Sequence, residues 1–196
     1  MKELPVRKQI RLKNYDYSQS GCYFVTICVK DKHELLGTIV GAPVPSRQYC
    51  VLEYPEVELT ELGYRIESAI TYYNANSIAI IDKYVIMPNH IHMIIVIRQT
   101  AGDRGRGAGD RGRSPLQEIV RNLKSYVTKT AGFSPWQRSF HDHIIRNDED
   151  YLRIWKYIDE NPARWSEDKY YVKPRATGDG RRATEDGRPY SDGFLN

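Results

Sequence analysis

Two histidines separated by one residue, His90-Ile91-His92, open an apolar run directly after Met87-Pro88-Asn89. In a strand, residues i and i+2 point to the same face. Both imidazoles therefore project together while Ile91 anchors in the core. Such a pair is part of a metal site that needs a third ligand from elsewhere. The plain alternative is two surface histidines at a strand end.

Residues 150–162, DYLRIWKYIDENP, supply what is missing. Tyr157 and Asn161 are four apart and lie one above the other on a helix face. Ile154 and Ile158, with Tyr151 and Trp155, define the packed side. Brought to the histidines, the Asn161 amide oxygen completes a metal site with His90 and His92, leaving positions open for phosphate oxygens. The metal acts as a Lewis acid on a phosphodiester and the Tyr157 phenolate attacks it. A phenol ordinarily titrates at about 10, so the site must help to deprotonate it. The plain alternative makes Tyr157 one of 15 tyrosines, touching the core. Tyr126 is the competing nucleophile, on a helix with Arg121, Lys124 and Lys129, but its i+4 partner is Thr130, a poor metal ligand. His141 and His143 repeat the same-face spacing on a second strand and are read as structural, or as supporting the site from behind.

The elements that must position these residues follow from periodicity. Residues 22–30 alternate and are β-branched and aromatic, a strand signature. Runs 33–40 and 49–57 are β-like and flank the proline-rich GAPVPS of 41–46, which gives a hairpin excursion over 33–57. Residues 60–76 place Leu62, Ile66, Ile70 and Tyr73 near the helical period. Strands are expected at 78–87 and 91–97, joined tightly through Pro88-Asn89-His90. A second amphipathic helix spans 116–130, with Ser114 as its cap and Pro115 in the first turn. A strand at 139–146 and a helix at 148–160, stopped by Asn161-Pro162, complete the series. Without the excursion, the order is that of a split βαβ, ferredoxin-like α+β fold. Its mostly antiparallel sheet carries an additional C-terminal helix bearing the nucleophile.

Length and composition bound the answer. At 196 residues the chain is one domain, or one domain with tails, and 40% hydrophobic residues suffice for a core. Charged residues make up 28%, mean hydropathy is −0.61, and runs such as 91–97 are too short to span a bilayer, which argues against a membrane protein. The first twenty residues lack the apolar core of a secretory signal. Cys22, Cys28 and Cys50 form no CxxC and read as reduced thiols of a cytoplasmic protein.

The net charge of +4 is segregated. Residues 1–13 hold five Lys and Arg against one Glu; residues 98–129 hold eight against three acids, so the remainder is net negative. Separated positive charge points to a polyanion, nucleic acid first, against the plain alternative of a solvated surface. Arg7, Lys8, Arg11 and Lys13 suit an N-terminal arm, 1–20, gripping a duplex stem with salt-sensitive affinity. Arg121, Lys124 and Lys129 form a DNA-backbone face. Arg138, with Trp136 and Gln137, is placed to position DNA, although Trp136 serves equally as packing. AGDRGRG at 101–107 is repeated at once by AGDRGR at 108–113, and the tail echoes it at 177–182 and 185–189. Such tracts cannot bury a core. The expected organisation is therefore the arm, a catalytic domain over 21–172 with a Gly/Arg insertion at 99–113, and a tail over 173–196.

These pieces carry a resemblance. KNYDYSQ at 13–19 leads into YFVTIC at 23–28; MPNHIH at 87–92, IVRNLKS at 119–125, WQRSFHDHIIR at 136–146 and YIDENP at 157–162 follow in order. Over about residues 8–166 the chain resembles the HUH single-tyrosine transposases, and among them the REP-associated tyrosine transposase branch. The resemblance implies a nuclease and strand transferase that cuts single-stranded DNA near hairpins, its partners being REP-like palindromes. His90 and His92 match the metal-binding pair, and Tyr157 matches the nucleophile that forms a 5′-phosphotyrosine. Asn161 falls where the superfamily often has Gln. Because a 3′-hydroxyl can attack the phosphotyrosine in reverse, no ATP is needed. Mg²⁺ or Mn²⁺ suits an oxygen-rich site of this kind. The branch implies a self-contained monomer, the wider superfamily a homodimer, and the setting is cytoplasmic, with the nucleoid.

Two other functions fit parts of the pattern. A non-catalytic nucleic-acid-binding module of the same fold would use Tyr23 and Phe24 as stacking residues. A phosphodiesterase that activates water would use His90 and His92 but not Tyr157.

Overall fold

The computed structural model describes residues 20–41, 54–76, 79–98 and 114–173. Arg7, Lys8, Arg11, Lys13, the Gly/Arg insertion and residues 174–196 of the tail lie outside them.

Strand β1 (Gly21–Cys28) is followed by a short hairpin of β2 (Gly37–Val40) and β3 (Glu56–Leu59), then helix α1 (Glu61–Asn76). Strands β4 (Ala79–Met87) and β5 (His90–Ile97) meet through Pro88 and Asn89, and helix α2 (Pro115–Ala131), β6 (His141–Ile145) and α3 (Asp148–Glu160) follow. The main sheet is antiparallel in the order β4-β5-β1-β6. This interleaving of β1-α1-β4 with β5-α2-β6 is the split βαβ architecture, and α3 is the added helix. Among the described residues of the β-like runs 33–40 and 49–57, only 37–40 and 56–57 are strand. β2 and β3 have four residues each and form a separate two-stranded sheet.

The central strands explain the sequence's apolar runs, because both of their faces are covered. Tyr23, Val25, Ile27, Ile91, Met93 and Ile95 pack with Ile66, Ile70, Leu116, Leu123 and Val127 in the core beneath α1 and α2. The alternate residues face the other way, where Phe24 and Ile94 meet Ile145, Ile154 and Ile158 beneath α3. Each such fully buried aliphatic side chain is worth roughly 1.5–3 kcal/mol, which fixes register: a one-residue slip would turn His90 and His92 toward the wrong core.

Local signals set the helix ends. Ser114 and Gln117 form a reciprocal capping box at the start of α2, with Pro115 in the first turn. Gly132, at φ 78°, ends that helix in the left-handed conformation. Gly63 lets α1 seat against the chain before β2, since a Cβ there would lie 2.2 Å from Leu36 O. The Asn147 side chain caps α3, and Asp148, Glu149 and Asp150 complement its N-terminal dipole. After Asn161 the chain turns through a 3-10 segment, Pro162–Glu167, which swings residues 168–171 back toward β5. Trp155 departs from the expected packed side of α3. It is 39% exposed, with the Lys83 ammonium 3.9 Å from its ring centre. Among the described residues no helix is long and apolar enough to cross a membrane.

Candidate active site

β5 is paired on both sides, so the two histidines sit on one of the two central strands of the sheet. His90 lies opposite Cys28 of β1 and Met87 of β4, and His92 lies opposite Thr26 and Val85. Both imidazoles are fully buried, and their Nε2 atoms converge to 3.0 Å. Burial lowers the basicity of both. His90 is pushed down to about 4, burial and the Lys169 and Lys32 charges outweighing the opposing pull of Asp168. His92 falls well below its ordinary value through burial, His90 and Lys169. Near neutral pH both are uncharged, the form that ligates metal.

Ile154 and Ile158 hold α3 on this face of the sheet and so bring Tyr157 to the pair. The Tyr157 hydroxyl lies 3.2 Å from His92 Nε2 and donates to Asp168 Oδ2, also at 3.2 Å. Its ring meets the His92 ring at 5.2 Å and stands edge-on to Phe24 at 6.0 Å. Burial and the Asp168 carboxylate push the phenol up to about 12. Asn161 Nδ2 donates to Asp168 Oδ2 at 3.1 Å, and Tyr170 N–H donates to Asp168 Oδ1 at 2.7 Å. A cleft of about 360 Å³ is lined by Tyr157, Asn161, Arg164, Asp168 and Lys169 among others.

The donor set fits a divalent cation. Ligand atoms of His90, His92 and Asp168 lie within 4.8 Å of one another. Asn161 Oδ1 is buried and accepts no hydrogen bond. A buried acceptor left alone costs about 1–3 kcal/mol, an arrangement that a cation would relieve. Two neutral imidazoles, one carboxylate and one amide oxygen make a mixed nitrogen and oxygen set.

The other residues singled out in the sequence fall in different places. Tyr126 lies on α2, across the sheet from the histidines, and its carbonyl accepts from Thr130 Oγ1. His141 and His143 share the face of Thr26 and Phe24. Among the described residues neither bonds to His90, His92 or Tyr157, and His143 pairs instead with Asp150 at 2.8 Å. Tyr23 is fully buried beneath α1 and α2, so it offers no stacking surface; Phe24 packs beside His92. Arg121, Lys124, Lys129 and Arg138 do converge, around a cleft of about 460 Å³ that also includes Trp136 and Gln137. Lys124 is committed there to structure. Its ammonium donates to Gln137 O and Ser139 O at 2.8 and 2.9 Å, and burial pushes it down to about 8. Trp136 is buried and its indole N–H donates to Lys124 O.

Sequence reasoning missed three residues. Asp168 lies beyond the last periodic segment, where no spacing rule connects it to the histidines. Asn89 was legible only as a turn residue, yet its Oδ1 lies 2.9 Å from His90 Nδ1. Thr26 was one strand residue among many, yet its hydroxyl lies 2.9 Å from His92 Nδ1. Its signal was its parity with Phe24, which puts a hydroxyl on the histidine face.

No family model matches the chain. A protein of Haemophilus influenzae known as an uncharacterized protein is 35% identical over 184 residues, covering 85% of this chain and 93% of the relative. Among solved structures, that of a REP-associated tyrosine transposase bound to a REP hairpin has a TM-score of 0.53 at 21% identity, over 83% of this chain and 77% of that one. The chain therefore belongs to one family with the Haemophilus protein, and its fold is that of the REP-associated tyrosine transposase.

Proposed function

We propose that this protein is a metal-dependent, single-tyrosine DNA endonuclease and strand transferase acting on single-stranded or hairpin DNA. The observation that carries the reading is the meeting of the Tyr157 hydroxyl with His92 and Asp168 beside the converging Nε2 atoms. The fold shared with a transposase bound to a REP hairpin supports the choice of DNA.

His90 Nε2, His92 Nε2, Asp168 and Asn161 Oδ1 are the groups that would hold Mg²⁺ or Mn²⁺. When bound, the cation supplies Lewis-acid stabilisation of charge on the scissile phosphate and favours the ionised phenol. The protein's own part begins with the Tyr157 proton, for which Asp168 Oδ2 is the hydrogen-bonded acceptor. The Tyr157 oxygen then forms its bond to phosphorus, and the departing 3′-oxygen leaves as a 3′-hydroxyl once protonated. A 5′-phosphotyrosine remains. Attack by a 3′-hydroxyl reverses the step, remakes a phosphodiester and returns the tyrosine. The bond energy is conserved and no nucleotide cofactor enters.

Arg121, Lys129 and Arg138, around the cleft beside α2, suit phosphate contacts that position the strand. We propose that the protein acts as a monomer in cis, in the cytoplasm with its DNA. The arm of Arg7, Lys8, Arg11 and Lys13 completes the grip on the stem, and the domain division given by the sequence is kept: 1–20, 21–172 and 173–196.

Incubation with hairpin oligonucleotides from the DNA flanking its gene, with Mn²⁺, tests the reading. A slower-migrating protein–DNA band on a denaturing gel, absent without the cation, is expected. The elevated Tyr157 pKa favours one rival, a hydrolase that activates water. Cleavage with no such band in the wild-type protein would establish that rival instead.

A further inference from the structure

Outside the donor set, two buried side chains decide which nitrogen each histidine presents. Asn89, 1% exposed, donates through Nδ2 to Lys32 O at 3.2 Å and to Tyr170 O at 3.0 Å. Both acceptors are carbonyls, which cannot donate, so the amide has one orientation. Its Oδ1 is then the atom 2.9 Å from His90 Nδ1. An acceptor there requires a proton on Nδ1, and in a neutral ring, the form that ligates metal, His90 Nε2 is then bare. The backbone holds this arrangement under strain. Lys32 O is delivered by consecutive non-glycine residues in the left-handed region, Asp31 at φ 55° and Lys32 at φ 57°.

Thr26 is a different kind of partner. Its hydroxyl lies 2.9 Å from His92 Nδ1 and can donate or accept by rotating. Two bare Nε2 atoms 3.0 Å apart would repel. With His90 Nε2 bare, His92 therefore carries its proton on Nε2 and donates it to His90, while Thr26 donates to His92 Nδ1. The Tyr157 hydroxyl is then left to donate to Asp168.

We propose that Asn89 is a positioning residue that locks His90 in the Nδ1–H form, and that Thr26 is a reversible partner. In that arrangement His92 moves its single proton from Nε2 to Nδ1, by exchange with water, when a cation takes the site. His90 is a ligand made ready in advance and His92 one made on demand. The inference about Thr26 rests on the reading of this pair as a cation site; the one about Asn89 does not.

Long-range ¹H–¹⁵N spectra of the full ¹⁵N-labelled chain near pH 7.5 test both, with the imidazoles assigned from single His→Gln variants. Without added metal, His90 is expected as Nδ1–H and His92 as Nε2–H. With Zn²⁺ as a diamagnetic probe, His90 stays as it is and His92 becomes Nδ1–H. Thr26→Val, which keeps the shape and removes the hydroxyl, is expected to lower Zn²⁺ affinity about tenfold or more by calorimetry, and Thr26→Ser to restore it. An Nε2–H form of His90 in the metal-free protein would overturn the role of Asn89. A Thr26→Val protein with a native amide spectrum and wild-type Zn²⁺ affinity would overturn that of Thr26. Failure of the wild-type chain to bind Zn²⁺ or Mn²⁺ would remove the cation site, and Thr26's role with it, while leaving the metal-free spectrum to decide Asn89.

Discussion

The Tyr157 hydroxyl and His92 Nε2 lie 3.2 Å apart although 65 residues separate them in the chain. Neither residue moves easily. His92 is held on a doubly paired strand, and Tyr157 projects from a helix anchored by Ile154 and Ile158. The contact is therefore a product of the whole α3–sheet packing.

Asp168 supplies the one formal negative charge among the proposed ligands. Asp168→Ala should weaken Mn²⁺ binding at least tenfold, read by calorimetry or by the electron paramagnetic resonance signal of free Mn²⁺. Unchanged affinity would reduce Asp168 to an acceptor for Tyr157.

The buried histidines make stability depend on pH in a defined direction. His90 titrates near 6.5 unfolded and near 4 folded. Between those values the unfolded chain binds a proton that the folded one refuses, so stability falls as pH falls from about 6.5 to about 4 and is unaffected by this group above that window. The full effect is of order 3 kcal/mol. Urea unfolding of wild-type and His90→Gln proteins at several pH values should show a steeper loss in the wild type. Parallel curves would contradict it.

Arg121, Lys129 and Arg138 are expected to act through phosphate contacts. Replacing all three with Gln should weaken hairpin binding at low salt and lessen the slope of log K against log salt by about two to three, for contacts to single or double strands. An unchanged slope would remove the cleft from the DNA path. Lys124→Met should instead lower stability, since its ammonium ties α2 to the segment before β6.

The capping box at Ser114 starts the helix that closes the α1/α2 core. Ser114→Ala should cost about 1 kcal/mol in chemical unfolding and leave Mn²⁺ affinity untouched.

The legibility of the site follows from its geometry. His90 and His92 were readable because a strand has period two, and Tyr157 with Asn161 because a helix stacks i and i+4. The fold order was readable because both faces of β1 and β5 are buried, which makes their sequences unmistakably apolar. Asp168 was not readable, because it arrives through a 3-10 turn whose path is set by Trp165 and Tyr170 packing beside Cys28 and Met87. Lys124 looked like its neighbours Arg121 and Lys129, and only the tertiary approach of Gln137 and Ser139 distinguishes it. Trp155 looked like core because it is aromatic, yet α3 is narrow enough in its contact that Ile154 and Ile158 suffice.

The central claim is that Tyr157 is the nucleophile. Wild-type protein reacted with a hairpin oligonucleotide and Mn²⁺ can be digested with protease and nuclease and the peptides weighed by mass spectrometry. A nucleotide attached through a 5′-phosphate to the peptide containing Tyr157, missing from a folded Tyr157→Phe protein that also fails to cleave, is the expected result. Cleavage that survives in Tyr157→Phe, or an adduct on another residue, would contradict it.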